Sequence, residues 1–235
     1  MNTQNNRITK LAETALLAAL CYVAFTFLQI KIPVPGGDAT SIHIGNAFCV
    51  LGALLLGGWY GGLAGAIGMT VADLMDPVYI TVAPKTFVLK LCIGLITGLV
   101  AHKYAKINKS TDKKYVLKWS ILASTAGLAF NVVADPVVGY FYKQIVLGQP
   151  QKMAEVLAKL SAATTLFNAV VSVILVAVIY NALRPVLIKS HLLIVCLLYT
   201  SKKYVKAKRK QYQKIIVVAM EENLSVIEER KDGIR

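Results

Sequence analysis

The chain has 235 residues, of which 56% are hydrophobic and only 16% are charged. A typical soluble domain is about 45–50% apolar and about 25% charged, so this composition excludes an ordinary soluble protein and favours a membrane protein. The net charge of +14 would also suit a nucleic-acid-binding protein. However, the basic residues lie between apolar segments and in the C-terminal tail, with no interleaved aromatic residues that could stack on bases, so no nucleic-acid partner is expected.

Apolar segments long enough to cross a bilayer follow one another along most of the chain. A crossing helix needs about 20 apolar residues. We predict an all-α integral membrane protein with six transmembrane helices, in which the glycine-rich stretch 57–62 separates the second span from the third. The first span is too long for the apolar region of a signal peptide, so we expect it to be retained. The predicted spans are Leu11–Ile30, His43–Gly58, Tyr60–Leu74, Phe87–Ala101, Val116–Val138 and Ala158–Ile188.

The distribution of basic residues predicts the orientation of these spans. With six spans, both termini and the loop after the fourth span fall on one side of the membrane. That loop region carries six lysines between Lys103 and Lys118, whereas the loops on the other side carry few basic residues. Because basic loops remain in the cytoplasm, both termini are predicted to be cytoplasmic.

Polar side chains within the predicted spans lie mostly in the outer half of the bundle. Such groups are costly in lipid, so each is a candidate functional residue. We predict that they form a solute pocket that opens outward, although Lys90 could instead form a structural ion pair with Asp73 or Asp135. The candidate substrate-binding residues are Asn46, Asp73, Lys90, Asn131, Asp135 and Asn168.

The first predicted outer loop and the nearby His43 allow more than one interpretation. The stretch Pro33–Ser41 is rich in turn-forming residues. It is either a plain connector or a lid over the pocket, and the sequence favours neither. His43 is expected to be an interfacial or loop-capping residue rather than a ligand.

The sequence lacks the motifs of the common catalytic classes. There is no GxxxxGK[ST] loop, no HExxH or GxSxG motif, and no cysteine spacing typical of a metal site. We therefore expect no enzymatic activity, no cofactor and no metal. No inverted repeat is detectable, which disfavours a self-sufficient transporter and suggests that energy comes from a partner. A stand-alone small-solute transporter or channel, and a purely structural membrane protein, remain as alternatives.

Several stretches of the chain resemble the substrate-binding S components of energy-coupling factor (ECF) vitamin transporters. The resemblance is carried by the sequence HIGNA from His43, by Gly52–Gly68, by Ala72–Leu74, and by Ala83–Phe87 with the following Lys90 and Gly94. It covers residues 8–193. Within the family, the chain is most similar to a branch assigned to hydroxymethylpyrimidine or vitamin B6-type substrates, which is often named riboflavin-type.

The resemblance implies a function as well as a fold. An S component of this kind is a multi-pass protein of the bacterial plasma membrane that binds a vitamin or precursor outside and delivers it inward. It has no ATPase of its own and works with a transmembrane coupling subunit and two ATPase subunits. The implied substrate is pyridoxine, hydroxymethylpyrimidine or a riboflavin-like compound. Ala15 and Ala19 match the AxxxA motif with which the family docks its coupling subunit.

The C-terminal part of the chain departs from the family pattern. We divide the chain into a membrane domain, residues 1–194, and a basic tail, residues 195–235. The tail could be a helix that lies on anionic lipid. It could also be a chimeric artefact, since Cys196–Ser201 matches the translation of a transposon end used in sequencing libraries. We assign the tail no function.

Overall fold

The computed structural model of the chain describes residues 3–34, 38–189 and 213, so the predicted tail lies outside the described residues except at residue 213. Within this part, six α-helices and one two-stranded antiparallel sheet are present. The elements in chain order are α1 (Thr3–Phe27), β1 (Gln29–Val34), β2 (Asp38–His43), α2 (Gly45–Leu56), α3 (Gly58–Leu74), α4 (Ala83–Gly98), α5 (Lys113–Phe141) and α6 (Gln151–Lys189). α4 and α5 each continue into a π-helical segment, Leu99–Tyr104 and Tyr142–Val146.

Among the described residues, four helical segments are long and apolar enough to cross a membrane. They are Ile8–Phe27, Ile80–Tyr104, Lys113–Val146 and Gln151–Leu187. α2, with 12 residues, is about 18 Å long, which is less than the roughly 30 Å of a bilayer core. Because α1, α3, α4 and α6 surround it and ten of its residues are buried, α2 contacts protein rather than lipid. Six helices are present as predicted, but two of them are shorter than a full span.

The break between the second and third helices lies within the predicted glycine-rich stretch. Gly57 separates α2 from α3 with φ 97°, a backbone conformation that favours glycine because it has no Cβ. The predicted start of the second helix at His43 is wrong. The helix begins at Gly45, since residues 38–43 form a strand.

The hairpin β1–β2 corrects the prediction of an entirely α-helical chain. Its strands pair in antiparallel register from Gln29 opposite His43 to Val34 opposite Asp38. In β2, Ser41 and His43 are buried while Ile42 between them is less so, which is the two-residue period of a strand with one face on protein. The turn-forming residues of this segment conceal that short alternation in the sequence.

Glycines allow the backbone of α3 to come into direct contact with the backbones of α2 and α4. A Cβ on Gly61 would lie 2.0 Å from the backbone nitrogen of Ala53 in α2, and one on Gly94 of α4 would lie 2.2 Å from the Cα of Gly62 in α3. Small residues permit such close packing of membrane helices. α3 is therefore packed closely against α1, α2 and α4, and its C-terminal end lies near the C-terminal end of α1 and the N-terminal end of α4.

We expect Gly94→Ala to separate α3 from α4, because the added methyl group meets the backbone of Gly62 rather than a movable side chain. Overpacking of this kind costs about 1–3 kcal/mol. Thermal unfolding of the purified protein in detergent should show a lower melting temperature. Gly139→Ala is the control, since its Cβ would make only an ordinary contact with Lys85 at 3.5 Å. Equal stability of the two variants would contradict this account of the packing.

Candidate functional site

A cavity of about 110 Å³ lies under the hairpin at one end of the helix bundle, which we call the hairpin end. Residues from all six helices and from β2 line it. The bundle creates this space where α1, α3 and α5 finish and where α2, α4 and α6 begin. All six residues predicted to bind substrate lie in its wall: Asn46, Asp73, Lys90, Asn131, Asp135 and Asn168. Their contact with a substrate stays a prediction.

Asp135 is already engaged by the protein through both carboxylate oxygens. The Lys85 ammonium group donates a hydrogen bond of 2.9 Å to Oδ1, and the hydroxyl groups of Ser161 and Thr165 donate to Oδ2. The Lys85 and Asp135 side chains are only 11% and 16% exposed. In this arrangement Asp135 ties α4 and α6 to α5 and fixes the direction of the Lys85 side chain in the cavity wall.

Asn168 connects α6 to the hairpin rather than facing the cavity with a free amide. Its Nδ2 donates to the carbonyl oxygen of Ser41 at 3.0 Å, and its Oδ1 accepts from the backbone N–H of His43 at 3.0 Å. One turn earlier in α6, the hydroxyl groups of Thr164 and Thr40 are 2.7 Å apart. These contacts hold β2 against α6.

Ion pairs secure the hairpin on both of its edges. Asp38 at the start of β2 pairs with Lys143 beyond α5, and Gln149 donates to the same carboxylate at 3.4 Å. Lys31 in β1 pairs with Asp76 after α3. Both strands of the hairpin are therefore fixed to the bundle, and β2 forms part of the cavity wall, so this segment is more than a plain connector. That it acts as a lid stays a prediction.

Lys90 and Asp73 make no direct ion pair. The part of the chain that the structure describes contains four ion pairs, and neither residue belongs to any of them. Thr86 is hydrogen-bonded to the Asp73 carboxylate, but the other oxygen, Oδ2, has no partner. Lys90 thus makes no direct ion pair with Asp73 or Asp135, although its charge acts on both carboxylates across the cavity.

Neutral polar atoms in the wall are also left without partners. They are Oδ1 of Asn46, Oδ1 of Asn131 and Nδ1 of His43. Buried polar groups are nearly always hydrogen-bonded, so several such atoms around one cavity indicate a site for a polar molecule.

Aromatic side chains form one side of the cavity. The ring centroids of Phe25 and His43 are 4.7 Å apart at an edge-on angle of 70°, and those of Phe25 and Tyr79 are 6.1 Å apart. His43 is buried in the cavity wall, so its expected position as an interfacial or capping residue is wrong. Rings in such a cluster offer flat apolar surface to a flat molecule.

Sequence reasoning missed the charged residues that complete the wall. Lys85 stands within the family-like stretch 83–87, yet nothing in its spacing pairs it with Asp135, 50 residues away. Asp38 and Lys143 are 105 residues apart. Periodicity shows which residues share a face of one helix, not which helices meet.

The predicted docking residues lie on the outer face of α1. Ala15 and Ala19 are both exposed, and large apolar side chains border them, including Leu11 at 60% and Leu16 at 64% exposure. This face therefore has a shallow depression at the two alanines, near the middle of α1, and neither alanine lines the cavity.

Comparison with known proteins identifies relatives of the chain. A family model described as "ECF-type riboflavin transporter, S component" matches residues 5–185. Among solved structures, the chain is similar to ThiT from Listeria monocytogenes, with a TM-score of 0.53 and 18% sequence identity; the match covers 75% of this chain and 95% of ThiT. At this identity the likeness shows a shared fold. No curated protein matches the chain significantly.

Proposed function

The chain belongs to the family of ECF-type riboflavin transporter S components, and from this premise we propose that the cavity under the hairpin is its substrate-binding site. The chain is a transporter subunit that binds substrate for an ECF vitamin transporter, not an enzyme. The observation that supports the cavity as the site is its set of buried polar atoms without partners, which belong to Asn46, Asp73, Asn131 and His43.

We propose that the six-helix bundle is embedded in the bacterial plasma membrane and that the chain passes through it six times, with the short α2 shielded from lipid by the other helices, the hairpin end outside and both termini in the cytoplasm. The connection between α4 and α5, at the opposite end of the bundle from the hairpin, carries Lys103, Lys106 and Lys109. Lysines at this density favour the cytoplasmic side. In this orientation the cavity receives substrate from outside.

The partners proposed for the chain follow from its family. A transmembrane coupling subunit would contact α1 at Ala15 and Ala19, where small side chains let another helix approach closely. Two ATPase subunits would supply the energy, and the surrounding bilayer would cover the apolar outer face. The proposed substrate is a vitamin or vitamin precursor, with pyridoxine, hydroxymethylpyrimidine and riboflavin-like compounds as the candidates.

A binding screen tests the proposed site. The full chain, purified in detergent, is heated with pyridoxine, hydroxymethylpyrimidine, thiamin, riboflavin or pantothenate. A compound that binds the native state at a thousandfold excess over its Kd stabilises it by about 4 kcal/mol, so the melting temperature rises. We expect one compound to do so, and we expect Asn131→Ala to weaken its binding at least tenfold because it removes a polar group from the cavity wall.

Asn181→Ala is the matched control, since Asn181 lies in α6 away from the cavity and donates only to the carbonyl of Ala177 within its own helix. Unchanged affinity in Asn131→Ala would contradict the cavity as the site. Flux of the bound compound into liposomes that contain this chain alone would instead support the stand-alone transporter, because an S component needs its ATPase partners for uptake.

A further inference from the structure

The cavity contains one positive and one negative side chain that make no direct ion pair. Lys90 is 7% exposed and Asp73 is 2% exposed, and no ion pair involves either of them within the described residues. An unpaired buried charge costs several kcal/mol, so such groups are retained where something else satisfies them.

The other charged groups of the cavity wall neutralise one another. Lys85 pairs with Asp135, and Lys143 pairs with Asp38. The charged groups free to contact a bound molecule directly are therefore those of Lys90 on α4 and Asp73 on α3. A molecule with a net charge could satisfy only one of the two, whereas a neutral molecule with separated positive and negative sites could satisfy both.

Size and shape restrict the molecule further. A buried water needs about 10–15 Å³, so the cavity of 110 Å³ holds on the order of ten water-sized groups. That suits a single ring with small substituents better than three fused rings with a long side chain. The wall formed by Phe25, His43 and Tyr79 favours a flat ring over an aliphatic chain.

We propose that the substrate is a single-ring heteroaromatic zwitterion, bound with its negative site at Lys90 and its positive N–H site at Asp73. Hydroxypyridines have this chemistry, because the phenolic proton moves to the ring nitrogen and leaves a phenolate and a pyridinium N–H with no net charge. Asn46 and Asn131, whose side-chain oxygens are unpartnered, supply hydrogen bonds to ring substituents. The inference rests on the proposed function, because it concerns the ligand of the same cavity.

Calorimetry on the full chain in detergent tests the inference with three probes. Pyridoxine is the aromatic zwitterion, 3-hydroxybenzyl alcohol has a similar ring without the nitrogen, and glycine betaine is an aliphatic zwitterion. We expect pyridoxine to bind and the other two to bind at least tenfold more weakly. Asp73→Asn and Lys90→Met should each weaken pyridoxine binding at least tenfold, while Lys159→Met, an exposed lysine of α6, should not.

A second readout separates a ligand-binding role from a structural one. Each variant removes an unpaired buried charge, so without ligand neither should melt at a lower temperature than the parent protein. A lower melting temperature in both variants would assign the two residues to folding and overturn the inference.

The remaining outcomes distinguish this inference from the proposed function. If riboflavin or another compound without separated charges binds, and if Asp73→Asn and Lys90→Met leave that binding unchanged, the inference is overturned and the proposed function stands. If a folded sample binds none of the probes and none of the vitamins in the wider screen, both are overturned.

Discussion

We expect Lys85→Met to destabilise the protein by about 3–5 kcal/mol, because it leaves the Asp135 carboxylate buried without its positive partner. Ser161 and Thr165 would still donate hydrogen bonds to that carboxylate, but two neutral donors do not balance a charge in an apolar bundle. Thermal unfolding in detergent measures the loss, and substrate affinity should fall with it because Lys85 and Asp135 both lie in the cavity wall.

Two further variants test whether the loss comes from the unpaired charge. The double variant Lys85→Met/Asp135→Asn removes both charges and should recover most of the stability of the parent protein. Lys31→Met breaks a pair in which the lysine is 42% exposed, and exposed pairs contribute about 0–1 kcal/mol. If the double variant were as unstable as Lys85→Met, lost packing rather than an isolated carboxylate would be the cause.

The second large effect concerns assembly with the coupling subunit. Ala15→Leu combined with Ala19→Leu should abolish copurification with that subunit and reduce vitamin uptake at least tenfold. The added side chains fill the shallow depression on the exposed face of α1 and prevent close approach of another helix. Substrate binding by the isolated chain should be unchanged, since neither alanine lines the cavity.

Ala129→Leu provides the control for this experiment, because Ala129 is an exposed alanine on α5, a different helix of the bundle. It should leave copurification and uptake intact. Normal assembly of the Ala15→Leu/Ala19→Leu variant would show that the coupling subunit docks elsewhere on the chain.

Those parts of the fold that depend on local sequence could be predicted. The break at Gly57 follows from a run of glycines inside an apolar stretch too long for one helix. The six candidate residues lie in one cavity wall because a polar side chain in an apolar span has few stable positions other than the interior of the bundle. The level at which each polar side chain lies along the bundle could therefore be estimated from its position within the predicted span.

Features that depend on which elements meet could not be predicted in this way. The role of Asp135 depends on Lys85, Ser161 and Thr165, which come from two other helices. Asn168 likewise binds a hairpin that the prediction treated as an irregular loop. From residue type and span alone, Asp135 and Asn168 could equally have been free to bind a substrate. The contacts in the structure show that both side chains are instead bound to other parts of the protein.

The hairpin also has a consequence for the speed of binding. Asp38, Thr40 and the backbone of Ser41 and His43 are each attached to an element beyond the hairpin, so moving the hairpin away from the cavity would break several contacts together. Where entry of a molecule needs that movement, the association rate is set by how often the hairpin opens, and it reaches a ceiling as the vitamin concentration rises. Such a molecule would also leave rarely, so long residence times would accompany capture from dilute solution.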